Sequence, residues 1–168
     1  IPDGSIDCVV TDPPYGIGKL WVGGKGHGWA NSWAQGVKRN EWDGECPPQK
    51  YFDEIFRISN HQIIWGGNYF NLPTSRGWLV WNKPERNFTL AEAELAWTSR
   101  DMVIRVCDCH RSDTGRNHPT QKPIDLMLWC MSFIPDNCTI LDPFLGSGTT
   151  AVAALKTDRN IIGIELDP

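Results

Sequence analysis

Four consecutive residues, Asp12-Pro13-Pro14-Tyr15, combine a carboxylate, a stiff proline pair and an aromatic face directly after the apolar run Ile6 to Thr11. Such a set suits chemistry on an exocyclic amino group, whose nitrogen lone pair is delocalised into a heteroaromatic ring. Two acceptors aimed at its two N–H groups favour a tetrahedral nitrogen and stabilise the positive charge that develops there. Asp12 supplies one acceptor. The Pro13 carbonyl supplies the second, because the proline pair limits where that carbonyl points. Tyr15 offers a flat surface, and stacking a base on an aromatic ring is worth about 1–3 kcal/mol. An amino group inside a duplex is reached only after the base is flipped out of its stack. No covalent intermediate is needed, so Cys46 has no required part in this chemistry.

A second constellation lies near the end of the chain, in Thr139-Ile140-Leu141-Asp142-Pro143-Phe144-Leu145-Gly146-Ser147-Gly148-Thr149-Thr150. Glycines at 146 and 148 let the backbone turn tightly and approach a ligand without Cβ interference. Glu165 ends the following apolar run, where a carboxylate can accept hydrogen bonds from both hydroxyls of a ribose. The loop lacks the Gly-Lys-Ser/Thr ending of a phosphate-binding loop and the third glycine of a dinucleotide fingerprint. A nucleoside cofactor is therefore expected.

The preceding Asp142-Pro143-Phe144 gives the loop a resemblance to the sulfonium-cofactor motif of amino-methyltransferases. Between the two loops stands His118-Pro119-Thr120-Gln121-Lys122-Pro123, and the catalytic loop precedes the cofactor loop. In this order the chain resembles the beta-group DNA amino-methyltransferases, a permuted Rossmann-like family with many bacterial and phage members, over nearly its whole length. The resemblance implies S-adenosylmethionine as cofactor, with Asp142, Phe144, Gly146, Ser147, Gly148 and Thr149 lining it and Glu165 on its ribose. It also implies Thr120, Gln121 and Lys122 at the methionine end, Lys122 facing the cofactor carboxylate. Asp12, Pro13, Pro14 and Tyr15 become the catalytic residues. The aspartate at position 12 implies adenine N6 as the target, since cytosine-N4 members more often carry serine there. Double-stranded DNA is the implied partner; a homodimer and a cognate restriction enzyme stay open, as does cytosine N4. Amino-methyltransferases of RNA or protein use a similar proline-tyrosine loop, but the permuted order argues against them. Intact Asp12, Tyr15, Gly146 and Gly148 argue against a nonenzymatic binding module. Family members carry a further strand and helix before the segment that starts at Ile1 and a helix after the last β-α-β unit, which implies a domain trimmed at both ends.

These loops need strands that deliver them to one edge. A buried strand is expected over Ile6–Thr11, a helix over Gln49–Ser59 and a strand over His61–Gly66. Further strands are expected at Trp78–Trp81 and Ala93–Thr98, with 102–119 polar and irregular. A helix over Pro123–Phe133 then leads into a strand at Thr139–Leu141, a helix at Thr149–Lys156 and a strand at Ile161–Ile164. Alternating strands and helices imply an α/β fold with a mainly parallel sheet flanked by helices. All 168 residues fit one methyltransferase domain: residues 1–99 hold the catalytic loop, 100–119 form a short target-recognition segment, and 120–168 form the cofactor half.

A net charge of −4 is no footprint of nucleic-acid binding by itself. Its distribution is more telling. Between Gly16 and Asn40, Lys19, Lys25, Lys38 and Arg39 are interleaved with three tryptophans and no acid, as suits a loop that tracks phosphates. Arg105, Arg111 and Arg116 extend the basic set. Cys107-Asp108-Cys109-His110 lacks a second ligand pair, so no metal site is expected. Six cysteines without CxxC spacing fit a reducing compartment. With no apolar run near the ~20 residues a membrane span requires, a cytoplasmic enzyme of a bacterial cell or phage-infected host is expected.

Overall fold

The structure, a computed structural model, describes residues 1–17, 44–86, 91–111 and 121–166. Among these residues, three helices flank a seven-stranded sheet. Strand β1 (Ile6–Thr11) is the axis of the fold. Four of its last residues in a row, Cys8 to Thr11, are buried, as expected of a strand covered on both faces. Helix α1 (Gln49–Ile58) follows a proline pair and buries Phe52, Ile55 and Ile58 along one face. It ends where Ser59 turns extended and begins β2 (Ser59–Trp65) without an intervening loop, the Ser59 hydroxyl donating to the Ile55 carbonyl at 2.5 Å.

The remaining elements are β3 (Trp78–Asn82), β4 (Ala93–Thr98), β5 (Arg105–Asp108), α2 (Ile124–Met131), β6 (Thr139–Asp142), α3 (Thr149–Lys156) and β7 (Asn160–Gly163). The strand order is β5-β3-β4-β2-β1-β6-β7. Pairing is parallel from β2 through β1 and β6 to β7 and again between β3 and β5; only β4 runs against its neighbours. The mainly parallel α/β expectation therefore holds. Strand β5 corrects the reading of 102–119 as irregular throughout. It is short, lies at the sheet edge and is largely exposed, so it leaves no apolar alternation to read.

Alternate residues of β1 point into different layers. Cys8 and Val10 pack with Leu126, Met127 and Cys130 of α2 and Ala153 and Ala154 of α3. Val9, on the other face, packs with Phe52, Ile55 and Ile58 of α1, a cluster that Ile6 joins from the start of the strand. The chain leaves β1 toward β2 on one side, whereas β6 and β7 extend on the other. The sheet thus changes winding direction between β1 and β6, and ligands of open α/β sheets bind outside the carboxyl ends of strands at such a point. No helix among the described residues is long and apolar enough to cross a membrane.

Candidate active site

Thr11 ends β1 and Asp142 ends β6, side by side in the sheet. The Thr11 hydroxyl donates to Asp142 Oδ1 at 2.7 Å, and the Phe144 amide donates to the same oxygen at 3.1 Å. Asp12 and the glycine loop consequently open from adjacent strand ends. Asp142 is buried, and burial pushes its carboxyl up to about 6; hydrogen bonds from Thr11, Thr150 and the Phe144 amide offset that only in part. No cation pairs with it among the described residues.

The glycine loop is held at its base and open at its rim. The Leu145 amide donates to the Ile164 carbonyl at 2.9 Å and the Gly148 amide to the Leu145 carbonyl at 3.0 Å. Gly146 and Gly148 have φ of +53° and +79°, and a Cβ on either would find open space for 4 Å around it. Glu165 Oε2 accepts from the Gly146 amide at 2.6 Å, so the carboxylate expected at a ribose does stand against the glycine turn. Gly148 precedes α3, whose first residue Thr149 is buried, and the Ser147 and Thr149 hydroxyls are 3.3 Å apart. Phe144 meets Tyr51 edge to face.

Around Asp12 the geometry is denser. Tyr15 donates to Asp12 Oδ1 at 2.6 Å, and Lys122 pairs with Asp12 Oδ2. Lys122 also reaches the Tyr15 hydroxyl at 3.1 Å and Glu94 Oε2 at 3.3 Å, while Lys83 pairs with Glu94 Oε1. The two lysine side chains are 6% and 4% exposed. Burial alone would lower Lys122, but two carboxylates more than reverse it and its pKa is raised; Lys83, with Glu94 as its one carboxylate partner among the described residues, stays lowered by burial. Burial would raise Glu94, yet Lys122 and Lys83 hold it down to about 2. Burial and the neighbouring Asp12 and Glu94 charges raise the Tyr15 phenol, which stays protonated as a donor.

Tyr15 stacks on Tyr69 with ring centroids 5.0 Å apart and 16° between planes, and Phe70 meets it edge on. Gly66 makes this possible: at φ +69°, its Cβ would lie 2.1 Å from Tyr15 Cε1. Lys122 is 5.6 Å from the Tyr15 centroid but 3.1 Å from its hydroxyl, which places the ammonium off the hydroxyl edge and not over the ring face.

The structure thus brings Asp12, Tyr15 and Lys122 together, and Asp142, Gly146 and Glu165 beside them. Pro13, directly after Asp12, is buried and Pro14 half-buried; Gln121, directly before Lys122, is half-buried. The sequence reading placed Lys122 opposite a cofactor carboxylate. Its ammonium instead sits on the protein's own Asp12 and Glu94, as a buried charge requires a partner. Arg105 begins β5, at the end of the sheet away from Asp12. Arg111 follows the end of β5, nearer the site, its amide donating to Glu85 and its guanidinium to the Ala91 carbonyl. Lys19, Lys25, Lys38, Arg39, Arg116 and Thr120 lie outside the described residues.

Glu94, Lys83, Trp65 and Tyr69 were missed. Because β4 runs antiparallel, its first residues share an end with the last residues of β1, β2 and β3, which puts Glu94 beside Asp12. The one available signal was a lone acid inside an apolar strand, with a lysine just after the preceding one. A separate cleft lined by Asp7, Asn60, His61, Asp136 and Cys138 opens at the opposite ends of β1, β2 and β6, remote from these groups and from the end where α/β sheets bind ligands.

Comparison with known proteins agrees with this fold. A family model described as DNA methylase matches residues 80–168. The type II methyltransferase M2.MboI of Moraxella bovis is 28% identical over 214 residues, covering 97% of this chain and 77% of its own length. Among solved structures, the M1.HpyAVI–SAM complex superposes with a TM-score of 0.57 at 22% identity, covering 98% of this chain and 85% of that one. The cytosine-N4-specific PvuII DNA methyltransferase superposes with a TM-score of 0.64 at 14% identity, covering 100% and 77%. At such identities these two likenesses describe the fold.

Proposed function

The chain belongs to the N6/N4 DNA methylase family, and from that premise we propose that it transfers a methyl group from S-adenosylmethionine to an exocyclic amino nitrogen of a base in double-stranded DNA. The observation that carries this reading is the adjacency of two unlike loops: the Asp12 acceptor and the glycine cradle leave neighbouring strands, tied by the Thr11–Asp142 hydrogen bond of 2.7 Å.

The residues present fit the cofactor. Gly146 and Gly148 keep space open that a Cβ would fill, Glu165 stands at the turn to take ribose hydroxyls, and Asp142 offers a buried carboxylate to a cationic ligand. When bound, the cofactor supplies an electrophilic methyl on a sulfonium. Phe144, Ser147 and Thr149 belong to the same loop, and Thr120 and Gln121 are the contacts expected at the methionine end of the cofactor.

Asp12 acts on the amino group. Tyr15 and Lys122 each occupy one lone pair on its two oxygens, and a carboxylate has about four such sites, so acceptor capacity for an amino N–H remains. The Pro13 carbonyl is the second acceptor. As the nitrogen becomes cationic both contacts strengthen, and strengthening toward the transition state is what accelerates a reaction. A flipped base stacked on Tyr15 takes the face turned from Tyr69 or displaces Tyr69. The Gly16–Asn40 loop, with Lys19, Lys25, Lys38 and Arg39, serves the DNA backbone together with Arg105, Arg111 and Arg116. Residues 100–119 are the short target-recognition segment.

Adenine N6 is the expected target because position 12 is aspartate; cytosine N4 presents the same two hydrogens. The test is to incubate duplex DNA with the protein and labelled cofactor and identify the modified nucleoside by mass spectrometry. N6-methyladenine is expected, N4-methylcytosine alone overturns the base and keeps the amino transfer, and no product overturns both. In the same assay Asp12→Ala should lower single-turnover rate by roughly 100- to 1000-fold while cofactor affinity, read by calorimetry, stays near wild type. A near-normal rate removes Asp12 from catalysis.

A further inference from the structure

We propose that Glu94 is a positioning residue for the Asp12 site: anchored by Lys83, it shares Lys122 with Asp12 and so sets how much of the Asp12 carboxylate is left for the substrate amino group. This rests on the methyl-transfer reading above.

The two oxygens of Glu94 are divided between two lysines. Oε1 takes Lys83 and Oε2 takes Lys122 at 3.3 Å, with the Tyr15 hydroxyl 3.4 Å from the same oxygen. Lys83 is fixed in turn by its own amide, which donates to the Glu92 carbonyl at 2.9 Å, and by the Trp81 ring 4.3 Å from its ammonium. Lys122 lies 5.1 Å from the Trp65 ring and contacts Asp12, Tyr15 and Glu94. Two buried ammoniums face two carboxylates, so the cluster is neutral. The ammoniums are buried and the carboxylates half-buried, and ion pairs taken from water in this way often return no more stability than apolar side chains of the same volume would. A use beyond stability is therefore to be sought in what the cluster touches, and it touches Asp12.

Asp12 stands one residue past a strand end, where its carboxylate must be held in one orientation. Tyr15 and Lys122 do that from opposite oxygens. An ammonium with three donors and no other carboxylate would turn fully onto Asp12 and compete with an amino group for the same lone pairs. Glu94 draws part of Lys122 away. Lys83 keeps Glu94 from moving toward Asp12 with it. Among the described residues, the charged and titratable groups around Lys122 are Asp12 and Tyr15 after β1, Glu94 on β4, Lys83 after β3 and Cys130 on α2. With Glu94 held down to about 2 it remains a carboxylate at any pH where the protein works.

Two variants test this. Glu94→Gln removes the charge and keeps the volume; the double variant Glu94→Gln with Lys83→Met restores charge balance and carries the test should the single variant unfold. Methyl transfer is read as kcat and KM against pH, and Lys122 is titrated by NMR of protein carrying labelled lysine, assigned by loss of its signal in Lys122→Met. In both variants kcat falls roughly 10- to 100-fold with KM for cofactor and DNA little changed. The Lys122 titration and the alkaline limb of kcat both move to lower pH. Glu94→Asp, which keeps the charge, recovers part of the rate. An unmoved Lys122 titration overturns the proposal whether or not transfer is seen, because that titration needs no substrate. A wild-type rate and pH profile in the double variant also overturns it. Absence of transfer in the wild-type chain overturns the methyl-transfer reading itself, and with it the role given to Asp12.

Discussion

Glu94, half-buried, and Asp142, buried, are carboxylates at the same end of the sheet, yet they are shifted in opposite directions, Glu94 down to about 2 and Asp142 up to about 6. Burial pushes both upward. Around Glu94 that push is overcome by Lys122 and Lys83, which the chain itself supplies. Around Asp142 it is opposed by hydroxyl and amide donors alone, and the neighbouring Asp12 adds to it. The amino-acceptor side of the site is thus electrostatically complete before any ligand arrives. The glycine-loop side is short of one positive charge and, at Gly146 and Gly148, of atoms. A ligand with a cationic centre supplies both.

Removing each carboxylate is the strongest way to break this contrast. Glu94→Ala leaves the buried Lys83 ammonium without the carboxylate it pairs with and Lys122 on Asp12 alone, and removing one partner from a buried ion pair destabilises a protein by about 3–5 kcal/mol. Asp142→Ala strands no charge but only neutral donors, the Thr11 and Thr150 hydroxyls and the Phe144 amide, for which about 1–3 kcal/mol is expected. Urea unfolding at neutral pH, compared at equal m, reads both. Equal losses would mean that the Glu94 pairs are not the buried contacts described.

Titration sharpens the same comparison. The folded pKa of Glu94 lies below its unfolded value of 4.5, so its contribution to stability is present above pH 4.5 and is lost as pH falls toward about 2. Asp142 is the reverse: its folded value lies above 3.8, the folded state holds the extra proton, and stability declines as pH rises from about 4 to about 6. Each shift corresponds to roughly 3 kcal/mol. Asp142→Asn should abolish the decline between pH 4 and 6, and Glu94→Gln the loss at lower pH, in unfolding curves collected across that range. A cationic ligand lowers the Asp142 pKa, so cofactor binding should strengthen as pH rises through about 6 and release a proton below it. Calorimetry in buffers of different ionisation enthalpy measures that proton; none released by the wild type would detach Asp142 from the cofactor.

Legibility in the sequence follows the same division. Strands β1 and β4 and helix α3 occupy the residues the periodicity indicates, because buried apolar runs and a helix after a glycine turn are local signals. The pairing of Glu165 with Gly146 was also legible, since a β-α-β unit returns the chain to the same sheet end. The Glu94 cluster was not. Its members come from β4, from the residue after β3 and from the segment before α2, and what joins them is the reversed direction of β4. Strand direction is a tertiary property with no mark in residue order. The same gap kept the protein partners of Lys122 out of sight: its charge suggested a ligand carboxylate, and two protein carboxylates are within its reach.

The smallest effect tests the open side of the comparison against the packed one through two glycines of similar backbone. Gly66 has φ +69° and Gly146 φ +53°, so alanine at either carries a similar conformational cost, roughly 1–2 kcal/mol. Their surroundings differ. An alanine Cβ at 66 would lie 2.1 Å from Tyr15 Cε1, whereas at 146 it meets nothing within 4 Å. Gly66→Ala should therefore lose more stability than the backbone cost alone and lower turnover by displacing the Tyr15 ring, with cofactor affinity unchanged. Gly146→Ala should lose only the backbone cost, yet weaken cofactor binding, because its Cβ enters the space the nucleoside needs. Thermal unfolding beside binding calorimetry separates the two. Wild-type cofactor affinity in Gly146→Ala would show that the open space at this turn is solvent and that the cofactor lies elsewhere.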